Sequence, residues 1–98
     1  MKANEFIRKY GLDDARFYLS TATDDAVWIS FDMPEHGIDN IILYVAELKR
    51  LVESHELVES YGGLEDAKKE LQRQSILRWV NPETERLREA IADVESCQ

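Results

Sequence analysis

The chain has 98 residues, with 12 Lys plus Arg against 20 Asp plus Glu, and 44% of it is hydrophobic. That length holds one small domain, and the apolar share supplies a modest core, which excludes global disorder. A single Cys excludes a disulfide framework and a Cys-based zinc site, and no apolar run approaches the roughly 18 residues of a membrane helix. The first 20 residues carry no secretory pattern, so a soluble protein of a reducing compartment is expected.

Residues 5–19 read Glu-Phe-Ile-Arg-Lys-Tyr-Gly-Leu-Asp-Asp-Ala-Arg-Phe-Tyr-Leu, which predicts a helix, a glycine stop and a second helix. Glycine takes the left-handed conformation cheaply just past a helix end, so Gly11 is the expected terminator. Tyr10 then falls in the last turn and packs back on the hairpin. Asp13 and Asp14 suit the start of the next helix, where unpaired N–H groups and the macrodipole favour negative charge. Ala15 is small enough for the two helices to approach closely. A DNA-reading helix-turn-helix shares this outline, but its recognition helix needs Lys, Arg, Asn or Gln aimed at bases and phosphates. Here the second helix opens on acids, which would face the phosphates.

Residues 26–32, Ala-Val-Trp-Ile-Ser-Phe-Asp, are rich in β-branched and aromatic residues and predict a strand. Val27, Ile29 and Phe31 fall on one side, and Trp28, Ser30 and Asp32 on the other. Met33 to Asn40 holds Pro34 and Gly37 and predicts a turn or short loop. Residues 41–45, Ile-Ile-Leu-Tyr-Val, are favoured as a second strand, although Asn40 also fits as the cap of a helix starting at Ile41. From Ala46 to Tyr61, Leu48, Leu51, Val52 and Val58 follow helical spacing, with His55 on the same line and Leu57 at its edge.

That helix runs into a second copy of the opening unit. Residues 56–71 match residues 5–19 at seven of 15 positions once Gly63 is treated as an insertion. The identical pairs are Glu5/Glu56, Tyr10/Tyr61, Gly11/Gly62, Leu12/Leu64, Asp14/Asp66, Ala15/Ala67 and Leu19/Leu71. Residues 76–80 form a short apolar run. Asn81-Pro82 then reads as a helix cap followed by proline in the first turn, with Leu87, Ala90, Ile91 and Val94 inward on the last helix. The expected architecture is a single α+β domain over residues 1–98. It comprises two repeated αα-hairpin units (about 4–20 and 55–73) and a C-terminal helix (about 82–95), packed on a small antiparallel β-hairpin (about 26–45).

No catalytic, cofactor-binding or metal-ligating residue emerges. There is no Gly-rich phosphate loop and no Ser, His and Asp set, so the chain reads as a non-enzyme. Asp24, Asp25, Asp32, Glu35 and Asp39 with His36 match no calcium-loop spacing and read as solvated loop acids. His36 reads as exposed and His55 as a core-edge residue. Cys97, with Asp93 and Glu95 near it at the chain end, reads as an incidental free thiol, open to oxidised dimers. Trp28 and Trp79 read first as core filling. If Val27, Ile29 and Phe31 face inward, however, Trp28 stands on the open sheet face with Tyr44 across the hairpin, and both aromatic types recur at protein contacts.

The segment Glu47–Leu71, with the opening Asn4–Leu12 and the stretch Glu85–Ile91, resembles text in small uncharacterised accessory proteins of lambda-like phages and enterobacterial prophages. The resemblance implies a phage accessory product acting in bacterial cytoplasm and transfers no functional residue. The expected function is an acidic interaction or regulatory module that contacts a host or phage protein through Asp24, Asp25, Trp28, Asp32, Glu35, Asp39 and Tyr44. The alternatives are a nucleic-acid mimic, or a weak nucleic-acid binder through Lys2, Arg8, Lys9 and Arg16. No cofactor and no membrane partner are expected, and monomer and homodimer both remain open. Charge is unevenly placed: residues 21–45 hold five acids and no Lys or Arg, whereas residues 1–20 are net positive by one.

Overall fold

Strand and helix periodicities alternate along the chain, and the computed structural model folds accordingly as α+β. It describes residues 1–76 and 82–98; Trp79 and the expected cap Asn81 lie outside the described residues. The helices are α1 (Ala3–Tyr10), α2 (Leu12–Ser20), α3 (Val45–Ser60), α4 (Leu64–Ile76) and α5 (Pro82–Ser96). Strands β1 (Trp28–Met33) and β2 (Ile38–Tyr44) form an antiparallel pair, so residues 41–44 are strand and the helix begins at Val45. Internal contacts divide the chain into two units, Met1–Val52 and Glu53–Gln98, and α3 contributes to each.

In the first unit the core grows from aromatic rings. Phe6 on α1 is fully buried and meets Tyr18 of α2 and Phe31 of β1 edge-on, at centroid distances of 6.2 and 5.7 Å. Tyr18 stacks flat on Phe31 at 3.7 Å. Aromatic pairs of this kind stabilise by about 0.5–1.5 kcal/mol each beyond their burial. Met33, Ile41, Leu43, Leu48, Leu51 and Val52 are buried with them. Tyr10 packs back on Phe6 as expected, and its ring also meets His36 at 4.9 Å. His36, expected only to be exposed, is therefore exposed but in tilted ring contact. Val27, expected to face inward, is 55% exposed just before β1, although its carbonyl accepts from Val45 N at 2.9 Å.

The second unit builds its core from α3, α4 and α5. Val58, Ala67, Leu87, Ala90, Ile91 and Val94 pack together, with Leu57, Tyr61, Leu64 and Leu71 against them. The inward face expected of the last helix is therefore the face it buries. Two polar links cross this core. Ser54, fully buried, donates to Asp93 Oδ2 at 2.7 Å and accepts from Arg86 at 3.3 Å. Buried Thr84 donates to Gln74 at 2.6 Å, and Gln74 donates to Glu70, which also receives Arg73. Among the described residues no buried side-chain nitrogen or oxygen lacks a partner, as a folded interior requires. Cys97 is buried, 8% exposed.

The two glycine corners differ. The Gly11 N–H donates to Ile7 O at 2.8 Å and its carbonyl accepts from Ala15 N at 3.3 Å, so one residue ends α1 and starts α2. Its φ of 93° and ψ of 164° lie outside the expected left-handed basin, in a region essentially reserved for glycine. At the second corner the tasks are separated. Gly62 N–H donates to Glu59 O and Gly63 N–H to Val58 O, the paired bonds of a Schellman motif, while Gly63 O accepts from Ala67 N.

Phe6→Ala should lose about 3–5 kcal/mol in urea unfolding, the cost of deleting a fully buried ring. Gly62→Ala should lose about 1–2 kcal/mol through its positive φ. The added Cβ would also come within 2.6 Å of Asp66 Oδ2, but a carboxylate tip can rotate away. The loss should therefore persist in an Asp66→Ala background; full recovery there would make the clash the cause. The Arg73 guanidinium, with help from Gln74, lowers the Glu70 carboxyl to about 2. A folded value below the ordinary 4.5 stabilises fully above that pH and is lost as pH falls through about 2. Arg73→Gln should move the Glu70 midpoint back toward 4.5 in a carboxyl NMR titration.

Candidate protein-contact face

Successive strand residues point to opposite faces, so covering one face of a two-stranded sheet leaves the other in water. The register pairs Trp28 with Tyr44, Ile29 with Leu43, Ser30 with Ile42 and Phe31 with Ile41. Ile29, Phe31, Met33, Ile41 and Leu43 take the inner side and are buried or half-buried. Trp28, Ser30, Asp32, Asn40, Ile42 and Tyr44 take the outer side, and all six are exposed. Between the Phe31 and Met33 pairs, Asp39 and Asn40 together oppose Asp32, a bulge that returns Ile38 to the inner side opposite Met33. Asn40 sits at φ 58°, which Asn tolerates better than most residues, and its N–H donates to Asp32 Oδ1 at 2.6 Å. The Ser30 hydroxyl donates to Asn40 Oδ1 at 2.9 Å.

The outer face is thus ordered in rows. The first row is Trp28 beside Tyr44, with ring centroids 5.0 Å apart and planes tilted by 47°. Trp28 is 61% exposed, so core filling is not its role here. Ile42, 45% exposed, supplies the apolar group of the middle row. Asp32 and Asn40 form the third. Beside the first row lies an open recess of about 450 Å³ lined by Met1, Lys2, Trp28, Tyr44 and Glu47.

The structure brings together only part of the expected contact set. Trp28 and Tyr44 touch, whereas Asp32, Glu35 and Asp39 lie at the turn end of the hairpin. Four residues of strand separate Trp28 from Asp32, about 13 Å. Asp24 and Asp25 sit in the turn before β1, where the Asp25 carboxylate accepts from Thr23 Oγ1 at 3.0 Å. All five carboxylates are exposed, and among the described residues none is in an ion pair. Ile42, Met1 and Glu47 were not anticipated, and Lys2 only as a nucleic-acid contact. Ile42 was accessible to sequence reasoning, because placing Tyr44 opposite Trp28 puts Ile42 on the same side two residues earlier.

The N-terminal cations do not form one compact group along α1. Lys2 precedes the helix and Lys9 lies in its last turn, about 10 Å of helix rise away. Arg16 on α2 is 3.7 Å from Asp13. Among the described residues no three His, Cys, Asp or Glu side chains gather as a metal site, and no helix is long and apolar enough to cross a membrane. No family model, curated protein or solved structure matches the chain.

Proposed function

We propose that the chain is a non-enzymatic interaction module that contacts a host or phage protein through the outer face of its hairpin. The setting is the bacterial cytoplasm and the phage or prophage accessory context that the resemblance implies. The single observation that carries this reading is the exposed Trp28–Tyr44 pair with Ile42 in the adjacent row. Fully burying a large apolar side chain stabilises by about 1.5–3 kcal/mol, and this face leaves that gain to be realised against another surface. Trp and Tyr are also the residue types that dominate the centres of protein contacts. A nucleic-acid mimic is supported less well, because it needs a continuous acidic surface and the middle row here is Ser30 and Ile42.

We also read the two glycine corners as copies of one helical unit. In its support, Ile7 and Val58 are both buried and both accept from a corner glycine, and Ala15 and Ala67 are both fully buried. The inserted Gly63 shares the bonds of a corner that Gly11 makes alone.

The contact reading is tested with wild type, Trp28→Ala and Phe17→Ala immobilised against a bacterial lysate with quantitative mass spectrometry. Phe17 is a control, 63% exposed on α2. A protein retained by wild type and Phe17→Ala but depleted at least about tenfold on Trp28→Ala is expected, the loss of a contact hot spot. Equal retention by all three rejects the face. Trp28→Ala itself should cost no more than about 1 kcal/mol of stability, the scale of one cross-strand pair.

A further inference from the structure

We propose that the hairpin's outer face is a docking strip for an extended segment carrying two basic side chains four residues apart with an apolar residue midway. This rests on the contact reading above and names the chemistry of its partner. The chemistry follows from the order of the rows. The Trp28–Tyr44 row presents exposed aromatic rings, and Asp24 and Asp25 precede Trp28 by four and three residues. Arg or Lys over such a ring is attracted by its quadrupole, most strongly for Trp. Glu47 lines the recess beside the row and adds negative charge there, partly offset by Lys2.

The far row supplies the second cation site. Asp32 spends Oδ1 on the Asn40 N–H and keeps its other oxygen, while Glu35 and Asp39 stand exposed around the same turn. Residues 21–45 themselves contain no Lys or Arg. Ile42 lies between them and takes an apolar side chain.

A strand laid along this face repeats its side chains every two residues, about 6.6 Å, as the hairpin does. Cation, apolar, cation at alternate positions therefore falls in register with aromatic pair, Ile42 and Asp32. The pattern reads the same from either end, so parallel and antiparallel approaches both satisfy it. An acidic segment would meet carboxylates at both ends of the hairpin, none of the five in an ion pair among the described residues. A second copy of this face would set like charges against one another at both ends.

Isothermal titration calorimetry with capped peptides tests the proposal on the full chain. The probes are Arg-Ser-Leu-Ser-Arg, its Glu-for-Arg analogue, and the shifted peptide Ser-Arg-Leu-Arg-Ser. Saturable binding of the first, weakening as salt rises, is expected. It should fall about fivefold or more for Trp28→Ala and for Asp32→Asn, with both variants shown folded by circular dichroism. The shifted peptide should bind more weakly and the Glu peptide not at all. Absence of binding, equal binding of any two peptides, or an unchanged affinity in Trp28→Ala overturns the proposal. So does a Trp28-dependent dimer in sedimentation equilibrium, which would make a second copy the occupant. If a lysate protein is captured through Trp28 while the basic peptide fails to bind, the contact reading stands and only this partner class falls. If both fail, both fall.

Discussion

Phe6 is where the helical and extended parts of the N-terminal unit meet. Two strands alone cannot hold themselves together in water, since each has a free edge and no opposing layer. The rings of Phe6, Tyr18 and Phe31 supply that layer on one side only. Once the inner face is closed in this way, strand alternation requires Trp28, Ile42 and Tyr44 to point outward. The exposed aromatic pair is thus a geometric consequence of how the core is closed.

The C-terminal unit solves a different problem. Its apolar stripe is narrow, and the helices are held additionally by hydrogen bonds through Ser54 and through Thr84 and Gln74. Such bonds contribute modestly when made but cost about 1–3 kcal/mol when a buried partner is left unpaired. They fix which residues face each other, in a cluster whose small members, Ala67 and Ala90, tolerate sliding more easily than large ones do.

The sequence carried the parts of this fold that depend on local period. Helical spacing identified Leu48, Leu51, Val52 and Val58, and the last helix showed its face through Leu87, Ala90, Ile91 and Val94. The β-branched run around Ile29 identified the first strand. What it could not supply depends on pairing between distant residues. Val27 reads as inward by alternation, yet at the open end of the hairpin it is exposed. Trp28 reads either as core or as the open-face neighbour of Tyr44, and the register decides for the second. The five acids look like one group in the sequence because they are close along the chain, whereas the hairpin distributes them between its two ends. Gly11 was legible as a corner, but its conformation followed from serving two helices at once.

The distribution of those acids also governs how the molecule treats its own kind. An exposed row of Trp, Tyr and Ile would ordinarily invite copies to stick face to face, and a short sheet with open edges invites pairing as well. Carboxylates at both ends of the row set like charges against one another in a face-to-face encounter, a repulsion that physiological salt screens over about 8 Å. The same carboxylates that shape the proposed basic partner thus also work against a face-to-face pairing of two copies, so one charge pattern bears on both choices.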